Sequence, residues 1–485
     1  MSDDVRYVAR DTTPLFELDN RGRRRLVHEL LWGDRVRVLE EGADRWRARA
    51  RGFEGYVDPA ALGDVPLLEV YFIDVGQGDG VLIRCPDDRH VLVDGGYNRA
   101  KQPSGKNAAD FVDWKFFKDY EQSTIALDAM ISSHCDADHY GGLWDLLNPE
   151  AHDELDATKV KVKAFYHAGV SWWTDDGKRS LGPADGGFLT RLLEDEDSVD
   201  AGLSAGSTER LQGEWAEFLA RVRGARCPVR RLSDRREHVP KFTRNDVADG
   251  KVALRVLGPV EPEPGRLYDL GNDSQNTNGN SILLRLDYGR VRILLTGDLN
   301  QASQRRLLEA YTGRRMEFAC DVAKGCHHGS ADVSYEFLST MAPAATVISS
   351  GDSEQHAHPR PSIVAASALT GHVRVDKDAL VTPLIFSTEI SRSVRMGKIT
   401  HLEALGVGLD HGRLDGDAEA EIHYAEIGAG DLKAKRGSRA LAGAYVVAGL
   451  IYGLVNVRTD GERILCATLN EKNRTWDCQG FRSRF

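Results

Sequence analysis

Four side chains able to bind a metal ion lie within one short segment of the chain. They are His134, Asp136, Asp138 and His139. Imidazole nitrogens and carboxylate oxygens crowded on one loop are costly unless a positive charge lies among them, and divalent cations bind these atom types. The spacing therefore predicts a metal centre, in preference to a polar loop with two solvated histidines.

Cys135 lies between two of these residues and is itself a type of metal ligand. Side chains alternate along an extended segment, so a side chain between His134 and Asp136 should point away from theirs. We therefore expect Cys135 to have a packing role.

Regular structure must hold this segment on both sides. The apolar run 127–131 is typical of a short buried strand. The residues 143–147 are typical of a helix, and Gly141 and Gly142 precede them. Glycine permits sharp changes of backbone direction, so the pair predicts a tight turn into that helix.

Histidine or aspartate side chains also follow several strands predicted elsewhere in the chain. Each lies at or just past the carboxyl end of an apolar run. Because such strand ends converge on one edge of a sheet sandwich, we expect these side chains to share a site with the 134–139 segment. They are His167, Asp298, His327, His328 and His358.

The 133–142 segment resembles the signature loop of the metallo-β-lactamase fold, whose common form is His-x-His-x-Asp-His. Asp136 stands where the second histidine usually stands. The resulting form, Ser-His-x-Asp-Ala-Asp-His-x-Gly-Gly, is similar to the soluble hydrolase domain of ComEC-type competence proteins and their free-standing relatives. A carboxylate in place of an imidazole makes the site harder, which shifts the expected ion from zinc alone toward zinc or manganese.

Further motifs resemble the same domains in the same order, between about residues 67 and 370. The resemblance implies an α/β fold, the αββα sandwich of the metallo-β-lactamase fold. The motifs are the segments 74–79 (Asp-Val-Gly-Gln-Gly-Asp), 278–281 (Asn-Gly-Asn-Ser), 296–298 (Thr-Gly-Asp) and 327–330 (His-His-Gly-Ser), and the pair His358-Pro359.

The resemblance also implies two divalent metal ions, zinc or manganese. We expect His134 and Asp136 to bind one ion and Asp138 and His139 to bind the other. Asp298 is expected to bridge them, because one carboxylate can span two ions about 3.5–4 Å apart.

The pair His327-His328 and the isolated His167 complete the histidines expected near the ions. Adjacent side chains do not easily face one ion, so we prefer His327 as a ligand and leave His328 as a ligand or a substrate contact. His167 is a ligand, a substrate contact or an ordinary loop histidine. By resemblance, Asp138 orients the nucleophile and His358 protonates the leaving group or holds a phosphate oxygen, and both are predicted to be catalytic.

Five other residues are predicted to support the ligands or to contact substrate. For the aspartates, the expected role is to accept hydrogen bonds from ligand N–H groups, and the alternative is capping of a turn. For the asparagines, the expected roles are holding their loop or binding substrate oxygens. These residues are Asp74, Asp79, Asp94, Asn278 and Asn280.

Three regions are predicted along the 485 residues. Residues 1–64 resemble a bacterial SH3-like all-β barrel, which either binds a protein partner or only packs on the next region. Residues 65–375 form the hydrolase core, with an insertion near 171–250. Residues 376–485 are a β-rich extension that either completes the core or forms a third domain.

The composition favours a cytoplasmic protein. The net charge of −11 argues mildly against a protein that coats long nucleic acid. Seven cysteines without a pairing framework suggest a reducing compartment. The start of the chain has no signal-peptide pattern, and the apolar run 441–455 is shorter than the roughly 20 residues of a spanning helix, so no membrane association is expected.

The sequence therefore predicts a metal-dependent hydrolase, first a phosphodiesterase or nuclease that uses a metal-bound hydroxide. The substrate is then a nucleic acid or a small phosphoester. The alternative is a hydrolase of a cyclic nucleotide, a phosphorylcholine ester or a lactone. A non-catalytic docking protein built on the SH3-like region is the third interpretation, and the intact set of ligands argues against it.

Overall fold

The structure, a computed structural model, describes most of the chain in sixteen segments. They are residues 4–102, 106–148, 155–157, 159–175, 177–204, 209–243, 251–351, 358–388, 393–398, 401–402, 412–413, 421–424, 437–440, 445–451, 453–470 and 473–485. The contacts within the chain divide it into two units, residues 1–391 with 453–485, and residues 392–452.

The first unit contains a nine-stranded sheet, which we call the first sheet. Its first four strands in spatial order are parallel, and the others are antiparallel to their neighbours. The order is Val229–Arg231, Phe165–His167, Ala129–Ser132, His90–Val93, Val81–Arg84, Leu68–Ile73, Leu454–Thr459, Arg463–Asn470 and Thr475–Arg482.

A six-stranded sheet, the second sheet, is mixed in the same way. Two antiparallel pairings are followed by three parallel ones. The order is Ala253–Gly258, Leu283–Tyr288, Val291–Leu295, Val322–Lys324, Ala345–Ile348 and Leu384–Ser387.

Alternation along the strands shows how the two sheets are layered. In the strand Leu68–Ile73, the side chains of Leu68, Val70 and Phe72 lie in an apolar core shared with the second sheet, whereas Tyr71 and Ile73 lie in a core shared with helices. Strand side chains alternate between faces, so both faces of this sheet are covered. The second sheet is also covered on both faces. Its inner face lies in the shared core, and its outer face packs on other helices. Two facing sheets between two helical layers give an αββα sandwich, within the mixed α/β class that was predicted.

Eight α-helices are formed by the described residues. Those ending before residue 225 lie on the side of the first sheet, and three of the later ones cover the second sheet. They are Ala108–Trp114, Ala137–Leu147, Glu196–Leu203, Gly213–Gly224, Asp273–Gly279, Gln301–Ala310, Tyr335–Met341 and Pro361–Thr370.

The predicted glycine turn is wrong, because Gly141 and Gly142 lie inside the helix Ala137–Leu147. These positions are glycine for reasons of packing. A Cβ atom on Gly141 would lie 2.1 Å from the backbone nitrogen of Asn98, and one on Gly142 would lie 2.1 Å from the carbonyl oxygen of Gly95. The helix therefore approaches the 95–98 loop more closely than any other residue type would allow.

The amino-terminal strands form one antiparallel seven-stranded sheet. The two outermost strands of this sheet are not paired with each other, so the pairings do not show the barrel that was predicted. The SH3-like interpretation therefore stays a prediction. The order is Arg24–Leu31, Thr12–Leu18, Phe53–Val57, Trp46–Ala50, Arg35–Glu40, Val5–Val8 and Leu62–Gly63.

A buried ionic network joins this sheet to the first sheet. Arg458 is fully buried, and its guanidinium donates to a carboxylate oxygen of Asp34 at 2.8 Å and to the carbonyl of Trp32 at 2.9 Å. Glu69 lies 3.7 Å from the same guanidinium and accepts from Arg84 at 2.6 Å. Buried charges require such pairing, so residues distant in sequence are held together here.

The remaining sheets each consist of two or three short strands. Those of the first unit pair as Thr124–Leu127 with Lys159–Val162, Trp173–Asp175 with Lys178–Ser180 and Arg210–Leu211, Phe188–Leu189 with Ala184–Asp185 and Leu267–Tyr268, and Arg374–Asp376 with Ala379–Thr382. Those of the second unit pair as Ser393–Lys398 with Tyr445–Ile451, His401–Leu402 with Gly412–Arg413, and Glu421–Tyr424 with Gly437–Ala440.

The regions predicted along the chain stay predictions. In the structure, the strands within 454–482 extend the first sheet beside Leu68–Ile73, and the helix Gly213–Gly224 packs on its outer face. Seven residues of the apolar run 441–455 form the strand Tyr445–Ile451. Across the described segments, no helix has the length and apolar character needed to cross a membrane.

Candidate metal centre

Asp298 lies at the middle of a cluster of histidine side chains. It follows the strand Val291–Leu295 and is buried. Its Oδ2 atom lies 2.9 Å from Nε2 of His328, 3.3 Å from Nε2 of His139 and 3.7 Å from Nε2 of His327. The rings of His134 and His139 have centroids 4.0 Å apart. Residues from both sheets thus meet at one edge of the sandwich.

The imidazole nitrogens of this cluster fit a bound cation. The Nε2 atoms of His134, His139 and His328 are buried, and none has a hydrogen bond of acceptable geometry within the described residues. A buried polar atom without a partner costs about 1–3 kcal/mol. A divalent cation satisfies such atoms, since neutral imidazole and carboxylate are its usual ligands.

Four overlapping groups of side chains bring their potential ligand atoms within 4.8 Å of one another. His139 belongs to three of them, and Asp298 and His328 to two each. The groups are His134 with His139 and Asp298, Asp138 with His139 and His328, Asp79 with Asp298 and His328, and Asp79 with Asp94 and His139.

Hydrogen bonds at the Nδ1 atoms orient the rings. Nδ1 of His139 lies 3.0 Å from Oδ2 of Asp94, whose other oxygen accepts from the backbone N–H of Ser133 at 2.7 Å. Nδ1 of His134 lies 3.0 Å from the hydroxyl oxygen of Ser133 and 3.2 Å from that of Ser281. These contacts direct each Nε2 atom toward the cluster and raise the basicity of the ring.

A buried lysine balances part of the negative charge. Nζ of Lys324 contacts the carboxylate of Asp79 and donates to Oδ1 of Asp298 at 3.4 Å. Burial alone would raise the pKa of both carboxyl groups. The Lys324 ammonium and His328 instead lower the pKa of Asp79 to about 2, and His328 and His139 hold the pKa of Asp298 well below its usual range. Both aspartates are therefore ionised and able to bind a cation.

The two aspartates of the 134–139 segment lie at the start of the helix Ala137–Leu147. Oδ2 of Asp136 accepts from the hydroxyl of Thr277 at 2.9 Å and lies 3.7 Å from Nε2 of His134. Burial and the nearby Asp138 raise the pKa of Asp136 to about 7. Asp138 thus disfavours the ionised form of Asp136, which belongs to none of the four ligand groups, and its role as a ligand stays a prediction.

Asp138 is more accessible than the buried histidines of the cluster, though less than Asp136 and His327, whose side chains are 27% and 22% exposed. Its Oδ2 accepts from the side-chain amide of Gln77 at 3.2 Å and lies 3.8 Å from Nε2 of His328. Its side chain is 15% exposed, whereas that of His328 is fully buried. Asp138 therefore lies where the buried cluster meets solvent.

The geometry favours His328 over His327, the reverse of the preference drawn from the sequence. Both residues have left-handed backbone conformations, with φ of 46° and 53°, so their side chains do not alternate as in a strand. His328 is fully buried beside Asp298, and the side chain of His327 is 22% exposed at a longer distance. The ligand assignment of each residue stays a prediction.

The other predicted site residues lie around this centre or apart from it. Asp74 accepts from the backbone N–H groups of Gly76 and Gly453, which favours the turn-capping alternative. The ring of His358 has its centroid 5.7 Å from that of His327 and 6.5 Å from that of His328, at the half-buried rim.

For His167 and the two asparagines the sequence left alternatives open, and their contacts favour one alternative in each case. His167 is buried at the end of the strand Phe165–His167 but belongs to none of the four ligand groups. Asn278 bonds the hydroxyl of Ser274, and Asn280 bonds the carbonyl oxygens of Tyr268 and Asn276. The asparagines thus hold the helix Asp273–Gly279 and the residues around it.

Sequence reasoning missed five polar residues that contact the cluster, and Ser133, beside His134 and His139, is one of them. Thr277 and Ser281 flank the two asparagines, Thr277 within the helix Asp273–Gly279 and Ser281 just past its end. Lys324 could have been found as a lysine at the end of an apolar strand, which requires a buried partner. Gln77 lies within the 74–79 motif, but its residue type alone does not indicate a role at a metal centre.

Comparison with known proteins agrees with the motifs. No protein-family profile matches the chain. Over 308 residues the chain is 24% identical to ComE operon protein 3 of Bacillus subtilis (strain 168), covering 61% of this chain and 30% of that protein. The chain thus spans less than a third of that relative's length. This similarity fits the resemblance to a metallo-β-lactamase-fold hydrolase.

One solved structure with a detectable likeness is described as the crystal structure of a new diphosphatase from the PhnP family. The likeness has a TM-score of 0.27 and 11% sequence identity. It covers 58% of this chain and 86% of that chain.

Proposed function

We propose that this chain is a metal-dependent phosphodiesterase of the metallo-β-lactamase fold that hydrolyses nucleic-acid strands. The observation that carries the proposal is a set of three buried Nε2 atoms around ionised Asp298, from His134, His139 and His328, none of which has a hydrogen bond of acceptable geometry to another described residue. The order of the motifs and the similarity to ComE operon protein 3 support the same interpretation.

The overlapping groups indicate how the cations would be held. His134, His139 and Asp298 would bind one, and Asp138 and His328 would hold another close by. Zinc and manganese both suit a mixed imidazole and carboxylate site. When bound, such cations lower the pKa of a coordinated water and neutralise charge on phosphoryl oxygens.

The chain's own residues would position the reacting groups. Asp138, at the boundary between the cluster and solvent, accepts a hydrogen bond from the attacking water and so orients it toward phosphorus. His358 lies at the rim beside His327, where its ring can donate a proton to the departing oxygen. Lys324 keeps Asp79 and Asp298 ionised and fixed in place.

A nuclease assay tests the proposal. Purified chain is incubated with end-labelled single-stranded DNA, with RNA and with bis(p-nitrophenyl) phosphate, each with manganese, with zinc and with EDTA. We expect cation-dependent cleavage of a labelled strand. Asp138→Ala should lose at least 100-fold in rate, since general acid–base groups contribute typically 10²–10⁴-fold.

The matched control is Asp477→Asn, which changes an exposed aspartate on the strand Thr475–Arg482. This variant should cleave at the wild-type rate. Cleavage of bis(p-nitrophenyl) phosphate alone would indicate a small phosphodiester as substrate. Full activity in EDTA, or in Asp138→Ala, would contradict the proposed chemistry.

A further inference from the structure

A cavity of about 470 Å³ lies at the edge of the second sheet, outside the metal centre. Its walls come from the first three strands of that sheet, from the residues 314–317 and from Phe485. Five arginines line it, and they are Arg255, Arg285, Arg290, Arg292 and Arg314. Five guanidinium groups around one cavity are unusual in a chain whose net charge is −11.

Two of these arginines are already neutralised. The cavity has two acidic side chains, Asp287 and Glu317. Arg285 is buried and lies 2.9 Å from Asp287 and 2.5 Å from Glu317, and Arg255 lies 2.9 Å from Glu317. The two acidic side chains that line the cavity offset two of the five guanidinium charges. The other three positive charges are in excess of them.

The three remaining arginines lie toward solvent. Arg290 and Arg314 are exposed, and the guanidinium of Arg292 comes no closer than 4.0 Å to Asp287. Arg290 donates to the main-chain oxygen of Phe485, and within the described segments no carboxylate side chain forms an ion pair with Arg290 or Arg314. Like charges gathered in this way repel each other, and a bound anion would remove that repulsion.

The guanidinium of Arg292 is held in position before any ligand arrives. It lies 4.1 Å from the centre of the Phe485 ring, donates to the carbonyl of Met316 at 3.4 Å, and is half-buried. Burial and the neighbouring Arg285 lower the pKa of Arg292. An arginine fixed against an aromatic ring loses less conformational entropy when it binds an anion.

We propose that this cavity binds a compact polyphosphate anion, such as the phosphate chain of a nucleotide. Guanidinium groups bind phosphate oxygens through paired hydrogen bonds, which suits arginine over lysine at such a site. The volume matches a ligand of nucleotide size, since small-molecule sites measure roughly 300–1,000 Å³. A long nucleic-acid strand would instead be expected to bind along an open basic groove.

The cavity is distinct from the metal centre. Arg292 lies near the start of the strand Val291–Leu295, and Asp298 follows the end of the same strand. At about 3.3 Å per residue, the strand separates the two sites by roughly 13 Å or more. The inference therefore does not depend on the proposed hydrolase activity.

Calorimetric titration with inorganic tripolyphosphate tests the proposal. EDTA is present throughout, so that no metal ion at the histidine cluster binds the probe. We expect saturable binding to one site per chain. The variant Arg290→Ala/Arg314→Ala, which changes two exposed side chains, should weaken binding at least tenfold, and Arg290→Ala/Arg292→Ala should do the same.

Arg305→Ala is the matched control, because it removes an exposed arginine from the helix Gln301–Ala310 outside the cavity. Its affinity should stay within twofold of the wild type. Absence of tripolyphosphate binding, or equal loss in Arg305→Ala, would overturn the proposal. Arginine-dependent binding of a single-stranded DNA 20-mer without binding of tripolyphosphate would also overturn it in favour of a strand-binding surface.

Discussion

Adjacent residues His327 and His328 differ sharply in their surroundings, and replacing each by glutamine separates their roles. His328 is fully buried with Nε2 2.9 Å from Asp298, whereas His327 is 22% exposed with Nε2 3.7 Å away. Loss of a residue that only supports a ligand costs about 10–100-fold in metal affinity. Loss of a ligand should exceed this range, so His328→Gln should weaken metal binding more than about 100-fold.

That factor corresponds to about 2.7 kcal/mol of binding free energy. His327→Gln should change the affinity less than about tenfold, because its ring lies at the rim and in none of the four ligand groups. Nδ1 of His328 also lies 3.2 Å from the carbonyl oxygen of Ser349, and glutamine keeps a polar side chain there.

Competition between the protein and a fluorescent zinc chelator measures both affinities under one condition. Circular dichroism of the metal-free variants shows whether each remains folded, so that a loss of binding is not a loss of structure. A larger loss in His327→Gln than in His328→Gln would refute the assignment. Losses of metal affinity that are equal in the two variants and smaller than tenfold would also refute it.

Two other predictions concern stability. Arg458→Met removes one cationic partner of each of the buried carboxylates Asp34 and Glu69, and urea unfolding should show a loss of about 3–5 kcal/mol; a loss below 1 kcal/mol would contradict the network. Burial and Arg84 lower the pKa of His90 to about 4, so the unfolded chain binds an extra proton between about pH 6.5 and 4 and stability falls as the pH falls. His90→Phe should remove about 2 kcal/mol of the wild-type loss between pH 7 and 5, and an unchanged loss would show that His90 is not its source.

The sheet strands were largely predictable because both faces of the sandwich are buried. Runs such as Leu68–Ile73 are apolar at every position except Glu69, and that pattern signals a strand covered on both sides. The role of Gly141 and Gly142 was not predictable, because it depends on the 95–98 loop, which is distant in sequence and close in space. Glycine looks the same in sequence whether it permits a turn or a close approach.

The candidate site was predictable where residue type alone indicates metal chemistry. The convergence of His134, His139, Asp298 and His328 followed from strand ends that carry histidine or aspartate. The choice between His327 and His328 was not predictable, because it depends on backbone torsions rather than on residue types.

Supporting hydroxyls and amides were harder to find than the potential ligands. Ser133, Ser281 and Thr277 contact the cluster through side chains that are common everywhere in proteins. Lys324 reaches two carboxylates from a neighbouring strand, and only the three-dimensional arrangement shows which ones.

The most direct test of the account is anomalous diffraction from crystals grown with zinc. The account predicts two peaks of density beside Asp298, one within about 2.0–2.1 Å of the Nε2 atoms of His134 and His139 and the other at that distance from Nε2 of His328. Crystals of Asp298→Ala should lose that density. Ordered side chains at these positions with no anomalous density among them, in crystals that hold zinc elsewhere, would contradict the metal centre and with it the proposed hydrolase.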